Sequence, residues 1–275
     1  MANPTSSITL DYPIKCESRY GYGKPYHREL ETILARDRGR YREILTGFLK
    51  YKEFLLRIPP WASENAPLSP AWCNAHMPAL DGVAIYGFLA NTNGAHYVEV
   101  GSGWTTKFAL RAIADQGLRT KITSIDPLPR VDIDVLCDVT IRKPLEDTDL
   151  GLFEKLDAGD IVFIDGSHCC FTNSDVTVVF LEILPRLKPG VIVEFHDIFL
   201  PLDYPPQWSD KHYSEQYLLA CYLLAEGNKF NVLLPGVYIS NDAELQHVLD
   251  PLWQEPAMKE VIEHFAVSFW LEIAR

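Results

Sequence analysis

No stretch of this sequence gathers lysine and arginine. Its 25 basic residues stand against 37 acidic ones, a formal net charge of −12, and nothing in that balance forms the clustered cations that hold a phosphate backbone. A nucleic-acid partner is not expected, and an anionic membrane suits the charge no better. Long apolar runs are missing as well. None approaches the roughly 18 residues of a spanning helix, and polar residues rather than an apolar export core follow Met1. The expectation is a soluble chain working in the cytoplasm. Cysteine is present without pattern: Cys16, Cys73, Cys137, Cys169, Cys170 and Cys221 include no C-x-x-C pair. The adjacent Cys169 and Cys170 match neither a zinc nor a redox motif, so all six read as free thiols in a reducing compartment.

What remains is ordinary globular material. Over 275 residues, 47% are hydrophobic and 23% charged, enough to bury one large α/β core with an added N-terminal element. The segment RYGYGKPYH (Arg19 to His27) predicts an extended arm. From Arg28 to Ile58 apolar residues recur at helical spacing (Leu30, Ile33, Leu34, Tyr41, Ile44, Leu45, Phe48, Leu49), until Pro59 and Pro60 stop the helix. An irregular stretch then leads to a helical pattern from Pro78 to Leu89.

From Ala95 the pattern alternates. HYVEV (96–100), KITSID (121–126), DVTI (138–141), DIVFID (160–165) and VIVEF (191–195) read as strands, with helix-compatible runs at 105–115, 149–156 and 175–187. Short β-branched runs separated by helices predict an α/β, Rossmann-like, doubly wound sheet buried on both faces. Past a Pro-rich loop (200–208) and a helix at 215–225, KFNVLL, VYIS and FAVSFWLEI read as three late strands without crossover helices. They predict a late antiparallel edge on a mostly parallel sheet. The division expected is 1–90 for the arm and helical extension and 91–275 for the sheet domain.

EVGSGWTT (Glu99 to Thr106) leaves the first strand and enters a helix. Gly101 and Gly103, with Ser102 between them, let the backbone turn tightly and come close to a ligand. The third glycine of a dinucleotide loop is replaced by Thr106, while Glu99 ends the strand and Asp126 closes the next one. An acid there can accept both ribose hydroxyls. Acids around an incomplete pyrophosphate loop suit a cationic cofactor without phosphate, and S-adenosylmethionine fits. In this reading Asp126 takes the ribose, the 101–103 backbone lies on the methionine half, and Glu99 holds the amino end, directly or through water.

Two later strand ends are dense in ligating groups. DGSH places Asp165 and His168 after the fourth strand; EFHD places Glu194, His196 and Asp197 at the end of the fifth. Such ends face one crevice in a doubly wound sheet. Glu194, inside its strand, is left out of the site.

The segment from about Tyr97 to Tyr217 resembles the bacterial class I S-adenosylmethionine-dependent methyltransferases of the methyltransferase-24 type. The pieces that carry the resemblance are EVGSGWTTKFA, SIDPLPR, GDIVFIDGSH, LPRLKPGVIVEFHDIFLPLDYPPQW and SEQYLL. The arm RYGYGKPYH and the ending SFWLE fit the same group. The resemblance implies the methyltransferase sheet, with 91–275 as its domain, and S-adenosylmethionine near Glu99, Gly101, Ser102, Gly103, Asp126 and Asp165. Similarity to metal-dependent O-methyltransferases implies a divalent ion on Asp165, His196 and Asp197. An imidazole in that set tilts the preference from Mg towards Mn, Fe or Zn. Two departures stand out: Trp104 where a small or polar residue is common, and a His-Asp pair where relatives carry two acids.

The function expected is methyl transfer to an oxygen of a small hydroxylated metabolite, with His168, His196 and Asp197 as the catalytic groups and His168 as base or fourth ligand. Three alternatives stay open. His196 and Asp197 can form a metal-free base with its orienting acid. His168, His196 and one aspartate can form the ligand set of a non-haem iron redox enzyme. A non-catalytic binding protein can inherit the fold. The Leu200–Tyr213 segment and the arm at Tyr20–His27 are expected to form a mobile cover. Residues 1–90 serve either as that lid or in a homo-oligomer.

Overall fold

The computed structural model describes residues 11–129, 133–226 and 229–274. Residues 1–10 of the expected arm, and Arg130 of the SIDPLPR segment, lie outside the described residues.

The strands are β1 (His96–Val100), β2 (Lys121–Ile125), β3 (Val139–Ile141), β4 (Ile161–Ile164), β5 (Ile192–Phe195), β6 (Phe230–Pro235) and β7 (Phe269–Ile273). They form one sheet of order β3-β2-β1-β4-β5-β7-β6. The first five are parallel, and β7 runs antiparallel between β5 and β6. β1, β4 and β5 carry side chains buried on both faces, which is why they read as near-continuous apolar runs. The chain goes outward from β1 to β2 and β3, then returns to β4 on the other side. The crevice between the ends of β1 and β4 is the switch point where such sheets bind ligands. The expected doubly wound sheet with an antiparallel edge is the fold.

Nine α-helical segments flank it among the described residues: α1 (Arg28–Ala35), α2 (Arg38–Phe48), α3 (Lys52–Leu55), α4 (Ala79–Thr92), α5 (Trp104–Gln116), α6 (Asp175–Val178), α7 (Glu215–Leu224), α8 (Gly236–Asn241) and α9 (Asp250–Trp253). Two expectations need correction. The helix read across Arg28–Ile58 breaks after Ala35 and again after Phe48. The apolar period survives both breaks because successive pieces keep the same face on the core (Leu30, Leu34, Tyr41, Leu45 and Phe48 are all buried). VYIS, read as a strand, lies in α8, with Val237, Tyr238 and Ile239 all buried. Its β-branched residues favour a strand only weakly, and burial against the core outweighs that preference.

α4 is buried from Ala79 to Leu89 and packs on α2 and α5. Two glycines permit the approach: a Cβ on Gly82 would overlap the Phe108 ring of α5, and one on Gly87 would overlap Phe48 of α2. Phe88 of α4 stacks on Trp270 of β7 with ring centroids 4.4 Å apart. The helices before residue 90 therefore share one hydrophobic core with the sheet.

Candidate active site

The C-terminal ends of β1, β2, β4 and β5 open into a cavity of about 1170 Å³. At its floor the chain turns at Gly101, whose φ is +76°. A Cβ there would collide with the carbonyl oxygen of Asp165, so only glycine lets the β1 loop lie against the β4 loop. Asp126 stands across from it. Its carboxylate accepts from Ser102 N (3.0 Å) and Leu128 N (2.8 Å), and the Ser102 hydroxyl approaches at 3.3 Å. Gly101, Ser102, Gly103 and Asp126 all line the cavity, as does Asp165.

Glu99 does not. It is fully buried beneath the loop, where its carboxylate accepts from the hydroxyls of Tyr97, Thr105 and Thr106. Burial raises its pKa to about 7, although those three donors pull the other way. The expected contact with a cofactor amino group is thus replaced by a structural one: Glu99 ties β1 to the first turn of α5. The strand-end position predicted an outward carboxylate, but three hydroxyls within reach turned it inward.

The lining is acidic. Among the described residues, Asp126, Glu146, Asp165, Asp175, Asp197 and Glu263 line the cavity with one lysine, Lys211. Lys211 lies over the Trp208 ring, 3.4 Å from its centroid, and 4.9 Å from that of Tyr213.

Beyond the glycine loop, Asp165, His168, His196 and Asp197 converge. His168 Nε2 is 3.2 Å from Asp165 Oδ1 and 3.7 Å from Asp197 Oδ2. His196 Nδ1 meets the same two carboxylates from the other side, at 3.7 Å from Asp165 and 3.6 Å from Asp197. One ligand atom each from Asp165, His168 and Asp197 can be chosen so that all lie within 4.8 Å of one another, the spacing of a metal-binding group. The sequence expectation had put His196 in the third place; the geometry puts His168 there and His196 alongside.

Both histidines are backed by buried acids. Glu215, in the first turn of α7, sits 2.9 Å from His168 Nδ1. Asp81, in α4, sits 3.4 Å from His196 Nε2. Burial opposes a charge on His168, but its hydrogen bonds to Asp165 and Glu215 outweigh that and lift its pKa to about 10. His196 is likewise raised well above its ordinary value, burial being overcome by Asp165, Asp81 and Asp197. Burial raises the pKa of Asp197 against the pull of both histidines. Glu194 is fully buried and does not line the cavity, and burial pushes its pKa well above the ordinary carboxylate value against the pull of His196.

His168 (φ +58°) and Asp197 (φ +56°) both adopt the left-handed backbone region, which costs about 1 kcal/mol or more each for a non-glycine residue. The His168 turn is held by its carbonyl, which accepts from Ser214 N (2.8 Å) and Glu215 N (3.1 Å) at the start of α7. Strained backbone at two of four clustered residues marks a place where side-chain aim outranks local comfort.

Pro205, Gln207, Trp208, Lys211 and Tyr213 wall the cavity from the segment expected to cover it, and Phe199 does so from just before it. The arm braces that segment from behind. Tyr20 N donates to Asp203 Oδ2 (3.0 Å), Tyr22 OH to the Asp203 carbonyl (3.1 Å), and His27 N to the Pro201 carbonyl (3.1 Å). Trp72, in the irregular stretch before α4, is buried against Phe108.

Sequence reasoning missed Asp81 and Glu215. For Asp81 a signal existed, a lone acid in an otherwise apolar helix. Glu215 in a first helical turn looks like an ordinary favourable charge for the helix dipole.

Residues 98–198 match the family model described as a methyltransferase domain, of the methyltransferase-24 type. No curated protein matches the sequence. Among solved structures, an O-methyltransferase from Bacillus cereus in complex with S-adenosylhomocysteine is 13% identical, with 85% of this chain and 91% of that chain covered and a TM-score of 0.40. The S-adenosylhomocysteine-bound methyltransferase of Podospora anserina is 13% identical over 93% of this chain and 100% of that one, with a TM-score of 0.42. An O-methyltransferase of Streptomyces achromogenes involved in tomaymycin synthesis, in complex with S-adenosylmethionine, is 12% identical over 85% and 90%, with a TM-score of 0.39.

Proposed function

We propose, from the premise that residues 98–198 of this chain are a methyltransferase domain, that the protein moves a methyl group from S-adenosylmethionine to a hydroxyl oxygen of a small metabolite. The observation that carries the reading is one cavity holding both a glycine loop opposite Asp126 and a cluster of two acids and two histidines. Among the described residues the lining sets six carboxylates against one lysine and the two clustered histidines, an excess of acid that suits a sulfonium cation better than a pyrophosphate. In this reading Asp126 accepts from the ribose hydroxyls and the 101–103 backbone lies along the methionine half.

The donor set of Asp165, His168 and Asp197 fits a divalent cation. It offers two carboxylates and an imidazole whose other nitrogen is held by Glu215, the arrangement that fixes ligating histidines. Such an ion lowers the pKa of a hydroxyl it coordinates. In its neutral form His196, whose Nδ1 faces the same acids, would accept the acceptor's proton as the O–H bond breaks. The oxygen then attacks the methyl carbon, the carbon–sulfur bond breaks, and the sulfur keeps that electron pair as a neutral thioether. Trp208, Phe199 and Tyr213 keep water from the reacting atoms.

Calorimetry with S-adenosylmethionine tests the cofactor. Asp126→Ala should bind at least about tenfold more weakly, the loss of a charge-assisted hydrogen bond. Unchanged affinity, or a preference for NAD, would refute the assignment. The metal is tested by elemental analysis of wild type and Asp197→Ala, with S-adenosylhomocysteine release followed across a panel of small hydroxylated compounds before and after chelation. Activity that survives exhaustive chelation but is lost in Asp197→Ala would make His196 and Asp197 an organic acid–base pair.

A further inference from the structure

Arg142 stands immediately after β3, which pairs in parallel with β2 so that Ile141 lies opposite Ile125. Asp126 N donates to the Ile141 carbonyl (3.1 Å), which brings the end of β2 beside Arg142. The guanidinium grips that end. Nη1 donates to the Ser124 hydroxyl (3.1 Å) and to the Asp126 carbonyl oxygen (3.1 Å), and Nη2 pairs with Asp134. Ser124 is fully buried. Its hydroxyl lies 3.0 Å from that of Ser102, which lies 3.3 Å from Asp126 Oδ2. Arg142 Nε is buried without a hydrogen-bond partner among the described residues. A buried N–H left unpaired is costly, so the fork is aimed at its Nη contacts at the expense of full pairing.

We infer that Arg142 is a positioning residue for Asp126: it sets the direction of the Ser124–Ser102 hydroxyl chain and so holds the Asp126 carboxylate in its aim across from the glycine loop. The direction follows from the donors. A guanidinium only donates, so the Ser124 oxygen accepts and its own proton goes to Ser102. The Ser102 proton is then left for the Asp126 carboxylate, and each bond polarises the next. Ser102 N donates to the same Oδ2, while Oδ1 holds Leu128 N and keeps capacity to accept from a ligand. Without the guanidinium the Ser124 hydroxyl can turn round and take the Ser102 proton. Asp126 would then lose that donor together with the hold on its carbonyl. The inference deepens the cofactor half of the methyl-transfer reading and rests on it for its purpose.

Arg142→Met keeps the aliphatic stem and removes the donors, and it can be read first without any ligand. In proton–nitrogen correlation spectra of the full chain, the Ser102 amide should exchange with solvent about tenfold faster than in the wild type, the scale of one weakened hydrogen bond. The Gly101 amide, held by the Ile125 carbonyl at 2.9 Å, should be unchanged. Calorimetry with S-adenosylhomocysteine then compares wild type, Arg142→Met, Asp126→Ala and the double variant. Arg142→Met should bind about three- to tenfold more weakly, and the double variant no more weakly than Asp126→Ala, because the effect passes through that carboxylate. A loss repeated in full on the Asp126→Ala background would mean a general loosening of the sheet edge and overturns the inference. So does an unchanged Ser102 amide in folded Arg142→Met. If that variant does not fold, Ser124→Ala breaks the chain at its next link and should show the same two changes; their absence overturns the inference equally. A wild type that binds no S-adenosylhomocysteine refutes the methyl-transfer reading, while the amide exchange still decides what Arg142 does to Asp126.

Discussion

Glu99 shows how a single residue can couple the site to the stability of the whole fold. Its carboxyl has a folded pKa of about 7 against an ordinary 4.5, with burial the main cause. The folded state therefore binds this proton more tightly than the unfolded chain does. Stability from this group is greatest at low pH, falls as the pH rises from about 4.5 to about 7, and is level above that. The difference corresponds to about 3 kcal/mol. Glu99→Gln cannot titrate, so its stability should be nearly flat across that window. It should exceed the wild type above pH 7 if the three hydroxyls rearrange around the amide. Urea unfolding at pH 5 and pH 8 measures both. Equal pH slopes in the two proteins would assign the dependence to other groups.

Among the elements, α4 packs its glycines directly against aromatic rings of its neighbours. Phe48 is fully buried, so a methyl group on Gly87 has no flexible neighbour to displace. Gly87→Ala, which in an exposed helix would stabilise, should here destabilise by about 1–3 kcal/mol through overpacking. Chemical denaturation gives the sign directly. The covering segment divides into two parts. Residues 201–205 are largely buried, and Asp203 and Leu202 are held by Tyr20, Tyr217 and Gln216. Residues 206–212 are mostly exposed apart from Trp208. Hydrogen exchange should show constant protection at 201–205, and a gain at 206–212 when S-adenosylmethionine is added. A change spread evenly over both would mean the arm releases the whole segment.

For the whole molecule, the decisive fact is that residues before 90 and the sheet share one core. Leu80, Val83, Ala84, Tyr86 and Phe88 lie under the sheet domain, and Asp81 reaches its chemical centre. A chain beginning at residue 91 would expose that face of α5 and β7 to water. It should fail to unfold cooperatively and should bind a hydrophobic dye, measured by circular dichroism and dye fluorescence. A cooperative transition in the shortened chain would show that the extension is an independent unit.

The alternation of strands and helices, the glycine turn after β1 and the acid after β2 were all legible in order along the sequence. Each depends on local periodicity or on a backbone conformation that few residues adopt. The strand ends bearing Asp165, His168, His196 and Asp197 were legible for the same reason, since a parallel sheet sends alternate loops to one side. Tertiary structure alone decided what those side chains face. Glu99 turned inward because Tyr97, Thr105 and Thr106 surround it. VYIS became a helix because its three apolar residues are buried together. His168 and His196 found Glu215 and Asp81, 47 and 115 residues away in sequence. A hydrogen bond spans about 3 Å of space regardless of how much chain separates its partners, so local pattern carries no record of it.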